Sequence, residues 1–229
     1  AVHQDRWMEH IHAGQTILIC DIGGGTTDFT LIRVRQASDP GGDASKLERR
    51  YGLHRVAVGE HLLLGGDNLD AALASFVEQK LGGVNARLYD TLRQRCRVAK
   101  ETLLGDEPPA EYSLSISATG RKVIETARTV RLSAEEVHRM LIDGFFPEVD
   151  HRSQPEEVDV GLREFGLPYA KDPAITRHLA SFLWQHRSAG RYETDLDDLQ
   201  AARPDWLLFN GGVTGSPFIR QRVLSQINR

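Results

Sequence analysis

Cysteine is nearly absent: Cys20 and Cys96 are the two in 229 residues, and they stand in no metal-type spacing. A cysteine-rich disulfide scaffold and a multi-cysteine zinc site are therefore excluded. Cys20 closes an apolar run, so a buried free thiol is expected there, which fits a reducing, cytoplasmic setting. Long apolar stretches are missing too. No run approaches the roughly 20 residues that a membrane helix needs, and the opening "AVHQDRWMEHIHAG" is charged throughout, without the apolar core of a signal peptide. No membrane partner is expected. An excess of positive charge is also lacking. Lys+Arg number 28 against Asp+Glu 32, a net charge of −4, which argues against an electrostatic nucleic-acid binder. No internal repeat and no low-complexity tract is found.

What is present has ordinary globular proportions, 40% hydrophobic and 26% charged, and enough length for one large domain or two small ones. The chain opens without Met and in mid-pattern, so a piece of a longer protein is expected, with residues 1–12 as the end of a preceding helix. "TILIC" (16–20), "FTLIRV" (29–34) and "LHRVAVGE" (53–60) read as strands of an antiparallel meander, with "SDPGGDASK" (38–46) as a turn cluster. "DNLDAALASFVEQKL" (67–81) and "NARLYDTLRQRCRVAKETLL" (85–104) carry apolar stripes at helical spacing. Residues 111–130 alternate on both sides of Thr119-Gly120 and read as a hairpin. Ser133 and Glu136 have capping-box spacing ahead of a helix over 133–146. Residues 147–172 read as loop. A helix over 172–186 is expected to take Asp172 as N-cap, with Phe182 and Trp184 in the core. "DWLLF" (205–209) reads as a buried strand, and 216–227 as a helix with Ser216 as N-cap and Pro217 next.

Three glycine turns punctuate this pattern. In "DIGGGTTD" (21–28), glycine permits close approach to bare backbone N–H groups, and successive N–H groups make an anion-binding concavity. A P-loop would need a lysine and a following helix, and a dinucleotide fingerprint would need the helix. Here a strand follows, so the turn reads as a strand–turn–strand phosphate clasp. Asp21 and Asp28 flank it, and two carboxylates beside a polyphosphate would repel it unless a cation sat between. Magnesium prefers oxygen ligands and keeps waters near phosphates, so Asp21 and Asp28 are expected to hold it through water. Thr26 and Thr27 add hydroxyls. A glycine-rich hairpin with solvated acids is the plain alternative. The second turn, "LLLGGDNLD" (62–70), sets Gly65-Gly66 before a helix whose N-terminus is expected to offer free N–H groups. The third, "LFNGGVTGSPF" (208–218), again runs strand, glycines, helix. Either could hold a ligand or merely turn the chain.

In this order, "DIGGGTTDFTLI", "LGGDNLD", "CRVAKETL" and "LLFNGGVTGSP" resemble the nucleotide-binding domain of heat shock protein 70 chaperones, within the actin-like ATPase superfamily. The first motif is shared across the superfamily; L-G-G-x-x-x-D and C-x-x-A-K are more specific to the chaperone branch. The resemblance spans 16–136 and 205–227. It implies an α/β fold: an RNase-H-like inner subdomain IIA (13–64 and 131–229) with an inserted α+β subdomain IIB (65–130). It implies ATP or ADP with magnesium, or potassium as a further cation. Asp21 would orient magnesium-bound and attacking waters, with Thr26 and Asp28 as the other catalytic-side groups. Gly23, Gly24, Gly25, Thr26 and Thr27 would cradle phosphates, and Gly65 and Gly66 would lie beside them and the ribose. Arg97, Lys100, Glu101 and Leu104 would form the adenosine helix. Gly211, Gly212, Val213 and Gly215 would pass under the adenine.

The sequence departs from the family pattern on the nucleoside side. The family usually has Glu where Arg97 stands, Arg for Glu101, Ser for Leu104, and an adenine-stacking Arg for Gly215. The 147–200 connection is longer than usual, and its acids read as a solvated face. The first phosphate loop, catalytic lysine and further acid of the family's other lobe have no match. The resemblance thus implies lobe II of a divergent bacterial stress chaperone, inactive alone. Its expected partners are the missing lobe I, cochaperones or a nucleotide-exchange factor. A nucleotide-sensing pseudo-ATPase is the alternative; a filament-forming actin relative or a sugar kinase is disfavoured by the chaperone-type motifs. His10 and His12, two apart, cannot share a helix face, and His138 and Asp143, five apart, suggest no dyad.

Overall fold

The computed structural model describes residues 10–36, 51–116, 127–156, 172–188 and 203–229. Residues 1–9, the 38–46 turn cluster and the Thr119-Gly120 turn lie outside the described residues, as do Glu157 and Asp159. Three strands form the expected meander: β1 (Thr16–Ile22), β2 (Thr27–Gln36) and β3 (Tyr51–Val58). β1 and β2 pair antiparallel from Thr16↔Arg33 to Ile22↔Thr27, and β2 pairs antiparallel with β3 across a bulge at Leu31/Ile32. Then come α1 (Gly66–Leu81), α2 (Ala86–Leu103), β4 (Glu111–Ile116), β5 (Arg128–Ser133), α3 (Ala134–Phe145), α4 (Ile175–Gln185), β6 (Trp206–Asn210), a 3-10 turn (Gly212–Gly215) and α5 (Pro217–Ile227). β6 returns to lie parallel beside β1. The result is a mixed four-stranded sheet, order β3-β2-β1-β6, and a separate β4-β5 ladder. The fold is mixed α/β.

Period-two alternation decides what each sheet face does. Leu18, Cys20, Ile22, Phe29 and Leu31 face inward and are buried. They join one hydrophobic cluster that takes in Leu69, Leu73 and Val77 of α1 and Leu92, Cys96, Ala99 and Leu103 of α2. The helical stripes also pick out Phe76 and Leu81, which are partly buried and pack against the cluster, and Leu88, which does not join it. Each fully buried leucine contributes about 2 kcal/mol of transfer free energy. Both cysteines are free and buried, and burial pushes their thiols up to about 12. The cluster crosses into the β4-β5 ladder through Leu114 and Leu132. The expected boundary between residues 130 and 131 falls inside β5, which pairs with β4 through Ser133↔Glu111. Ser133 then caps α3 in a complete capping box with Glu136.

Four expectations of the fold need correction. β6 is not a buried strand: Trp206 is 39% and Leu208 54% exposed. It stands at the end of the sheet order, and only Leu207 and Phe209 pack against the core. Asp172 is not the N-cap of α4, which begins two residues later than the Asp-Pro pattern suggests, with Ala174 as cap. Its carboxylate instead accepts from the amides of Ala174 and Glu156 and pairs with Arg177. Trp184 is not a core residue either. It is half-buried, with the guanidinium groups of Arg152 and Arg187 over its ring. Among the 147–200 acids, Glu148 is not merely solvated, since it pairs with Arg229 and Arg222. No helix among the described residues is long and apolar enough to cross a membrane.

Candidate functional site: a cleft where three glycine turns meet

The first turn links β1 to β2. Its closing bond runs from the Gly23 amide to the Thr26 carbonyl, 2.8 Å. Among the described residues, the amides of Gly24, Gly25 and Thr26 find no protein acceptor, and Gly24 and Gly25 are exposed. Three neighbouring amides without partners at a surface are what an anion-binding concavity requires.

The second turn docks directly on the first. The Gly66 amide donates to the Gly23 carbonyl (3.0 Å) and the Asp67 amide to the Gly24 carbonyl (2.7 Å). The Gly65 amide donates to Asn68 Oδ1. This corrects the expectation of a free helix N-terminus, because the leading amides of α1 are spent on the neighbouring turn. Gly65 makes that docking possible. A Cβ there would lie 2.6 Å from the carbonyl oxygens of both Gly23 and Gly24.

The third turn presses on the other side. Gly211 has φ of +85°, in the region that side chains other than glycine's rarely adopt. A Cβ there would sit 2.2 Å from the Ile22 carbonyl oxygen. Val213, in the following 3-10 turn, reaches back to Gly66. The three turns, far apart in sequence, thus meet: the first two through backbone hydrogen bonds, the third through the close approach of Gly211 to Ile22 and of the Val213 side chain to Gly66.

Asp21 and Asp28 face each other across β1 and β2, and Asn210 is the register neighbour of Asp21 on β6. In-register neighbours share a sheet face, so the three form a row beside the glycine turn. Asn210 Nδ2 donates to Asp21 Oδ2 at 2.8 Å. Asp28 Oδ1 lies 2.7 Å from His61 Nδ1. Like charges directly opposite on a sheet are destabilising, and a cation relieves that. The hard oxygen donors fit magnesium held through water. Thr27 is different: it is fully buried and its hydroxyl donates to the Leu64 carbonyl. Its side chain ties turn to turn instead of facing a ligand.

The turns open onto a cleft of about 300 Å³ whose far wall is the C-terminal half of α2 and the residues after it. Arg97, Lys100, Glu101 and Leu104 line it, as do Gly24, Gly66, Gly212, Val213 and Gly215. Of the other residues singled out from the sequence, Asp21, Gly23, Gly25, Thr26, Thr27, Asp28, Gly65 and Gly211 are not among the cleft's lining residues. The α2 side chains are largely engaged with protein groups. Arg97 Nε donates to Glu101 Oε1 at 3.0 Å on the surface. Lys100 Nζ lies 2.6 Å from Asp70 Oδ1 in a close but poorly aligned ion pair, and donates to the Gly66 carbonyl. Burial of Asp70 outweighs the attraction of Lys100 and pushes its carboxyl above the usual range.

No protein-family model matches the chain.

Sequence reasoning missed Asp67, Asp70, Asn210, His61 and Asp106. Asp67 and Asp106 line the cleft. Asn210 had a local signal, since it immediately precedes the third glycine pair on a strand. Asp70 and Lys100 close the L-G-G-x-x-x-D and C-x-x-A-K motifs, but their pairing had no local signal, because they come together only when α1 packs on α2.

Proposed function

We propose that the chain is lobe II of the ATP-binding domain of a heat shock protein 70-like chaperone. Residues 13–64 and 131–229, with the sheet, would be the RNase-H-like subdomain IIA, and residues 65–130, with α1, α2 and the β4-β5 ladder, subdomain IIB. The observation that carries this reading is the meeting of three glycine turns beside the Asp21–Asp28 row. Gly24, Gly25 and Thr26 offer their amides to the terminal phosphates of ATP or ADP. Asp21 and Asp28 hold magnesium-bound waters. Lys100 and the 3-10 turn face the nucleoside. When bound, magnesium would neutralise phosphate charge; phosphoryl transfer depends chiefly on such positioning and electrostatics. The reading requires a facing lobe I, and cochaperones or an exchange factor as further partners. It calls for a cytoplasmic protein, as a stress chaperone with reduced cysteines would be.

Calorimetry on the 229-residue chain with magnesium-ADP and magnesium-ATP tests it. Weak binding without turnover is expected, and robust hydrolysis by this chain alone would overturn it. A nucleotide-sensing pseudo-ATPase is a second reading. It is favoured by the side chains of the α2 wall, where Arg97 and Glu101 satisfy each other and Lys100 is held by Asp70. In the longer protein, tight binding without turnover supports the sensor, and stimulated turnover supports the chaperone.

A further inference from the structure

Among the described residues, four carboxylates line the glycine cleft: Asp67, Asp70, Glu101 and Asp106. Three of them have a cation within ion-pair distance: Lys100 for Asp70, Arg97 for Glu101 and Arg220 for Asp106. Asp67 is different. Among the described residues no cation within ion-pair distance and no hydrogen-bond donor reaches its exposed carboxylate.

Backbone contacts fix its place in the cleft. The Asp67 amide donates to the Gly24 carbonyl at 2.7 Å, and its side chain lies against the same residue. A Cβ on Gly24 would be 3.7 Å from Asp67 Oδ1 and 3.8 Å from Oδ2. Gly24 is the one residue of the first turn that lines the cleft. An apolar part of the cleft is lined by Leu104, one turn of α2 beyond Lys100, and by Ile219 of α5.

A carboxylate accepts hydrogen bonds and cannot donate them, and it repels phosphate. The base of a nucleotide suits the apolar part of the cleft. The hydroxyls of the ribose are the donors that lie between phosphates and base. Two carboxylate oxygens match two neighbouring hydroxyls, and an acidic side chain takes a ribose hydroxyl in this manner at dinucleotide sites. An acid in the first turn of a helix also complements the helix dipole, but that role alone would leave the choice of sugar untouched.

We propose that Asp67 sets the sugar specificity of the cleft, accepting from the 2′ and 3′ hydroxyls so that ribonucleotides bind in preference to 2′-deoxyribonucleotides. The proposal rests on the nucleotide reading of the same cleft.

Magnesium-ADP and magnesium-2′-deoxy-ADP, titrated separately into the 229-residue chain in a calorimeter, test it. ADP should bind about tenfold more tightly or better, as a hydrogen bond to a charged group warrants. In Asp67→Ala the two nucleotides should bind alike, chiefly through loss of ADP affinity. Asp67→Asn, with one acceptor oxygen left, should fall between. A cooperative thermal transition is the folding control for both variants. Equal affinity of the unaltered chain for the two nucleotides would overturn this inference and leave the nucleotide reading standing, and that comparison needs no variant. A preference for ADP that survives in Asp67→Ala would overturn it as well. So would loss of magnesium dependence in Asp67→Ala, which would assign the carboxylate to the cation. Binding of neither nucleotide would overturn it together with the nucleotide reading.

Discussion

Along one wall of the glycine cleft, backbone touches backbone. Gly66 and Asp67 bond through their amides to the carbonyls of Gly23 and Gly24, and Gly65 and Gly211 lie so close to neighbouring backbone that neither has room for a Cβ. Along the other wall, α2 presents side chains that reach outward and pair with neighbours, Arg97 with Glu101 and Lys100 with Asp70. The first wall depends on the absence of a Cβ at Gly65 and Gly211, and a substitution at either disturbs the fold. The second is fixed by charge, and most changes there leave the helix in place. A site built this way can keep its anion clasp while the residues facing the rest of a ligand vary.

Gly211→Ala attacks the backbone wall where it is tightest. The new methyl would overlap the Ile22 carbonyl and sit at a positive φ. Strain of this kind and overpacking each cost about 1–3 kcal/mol, so a loss of about 3 kcal/mol or more is expected in urea unfolding. A loss below about 1 kcal/mol would show that the third turn can move off the first, and the contrast between the walls would fail.

Lys100→Met tests the one place where the side-chain wall is also structural. Removing a partner from a buried ion pair costs about 3 kcal/mol, and here it leaves Asp70 buried without its cation. Asp70 already binds its proton more tightly folded than unfolded. Its unfavourable contribution therefore grows as pH rises through that raised value and fades as pH falls. The deficit of Lys100→Met should shrink in acid, and adding Asp70→Asn should recover most of it at neutral pH. A deficit independent of pH would mean that Lys100 acts through packing alone.

The backbone wall was the more legible in sequence, for a physical reason. Glycine pairs are local signals, and the strand after "DIGGGTTD" already set Asp21 opposite Asp28. The Ser133–Glu136 capping box and Pro217 at the start of α5 are local in the same way. What was not legible depends on partners distant in the chain. "DWLLF" has the composition of a buried strand, yet Trp206 and Leu208 are exposed because the strand lies at the end of the sheet order. Asp172 sits in an N-cap pattern but is drawn instead to Glu156 and Arg177. The docking of Gly66 and Asp67 on the first turn removed amides that helix geometry alone would leave free.

Asp21→Asn separates function from fold within the first wall. Asparagine still accepts from Asn210, and the change removes like-charge opposition to Asp28. Such opposition costs a few tenths to about 1 kcal/mol, so the variant should be equally or slightly more stable without magnesium. The magnesium-dependent rise in thermal midpoint with ADP should disappear. Unchanged magnesium dependence would count against the cation role of this row.

Arg97→Ala should have the smallest effect on stability. Its side chain is 64% exposed and its pairing with Glu101 is a surface contact one helical turn long, of a kind worth about 0.3–0.5 kcal/mol. The thermal midpoint should hardly move. The guanidinium nevertheless lines the cleft, and losing one hydrogen bond to a ligand there would cost about 0.5–1.5 kcal/mol, roughly a twofold to tenfold loss of ADP affinity. A variant that lowers affinity without touching stability would mark α2 as the adjustable wall. One that changes neither would mean that Arg97 serves only Glu101, and that the ligand is held by the glycine turns alone.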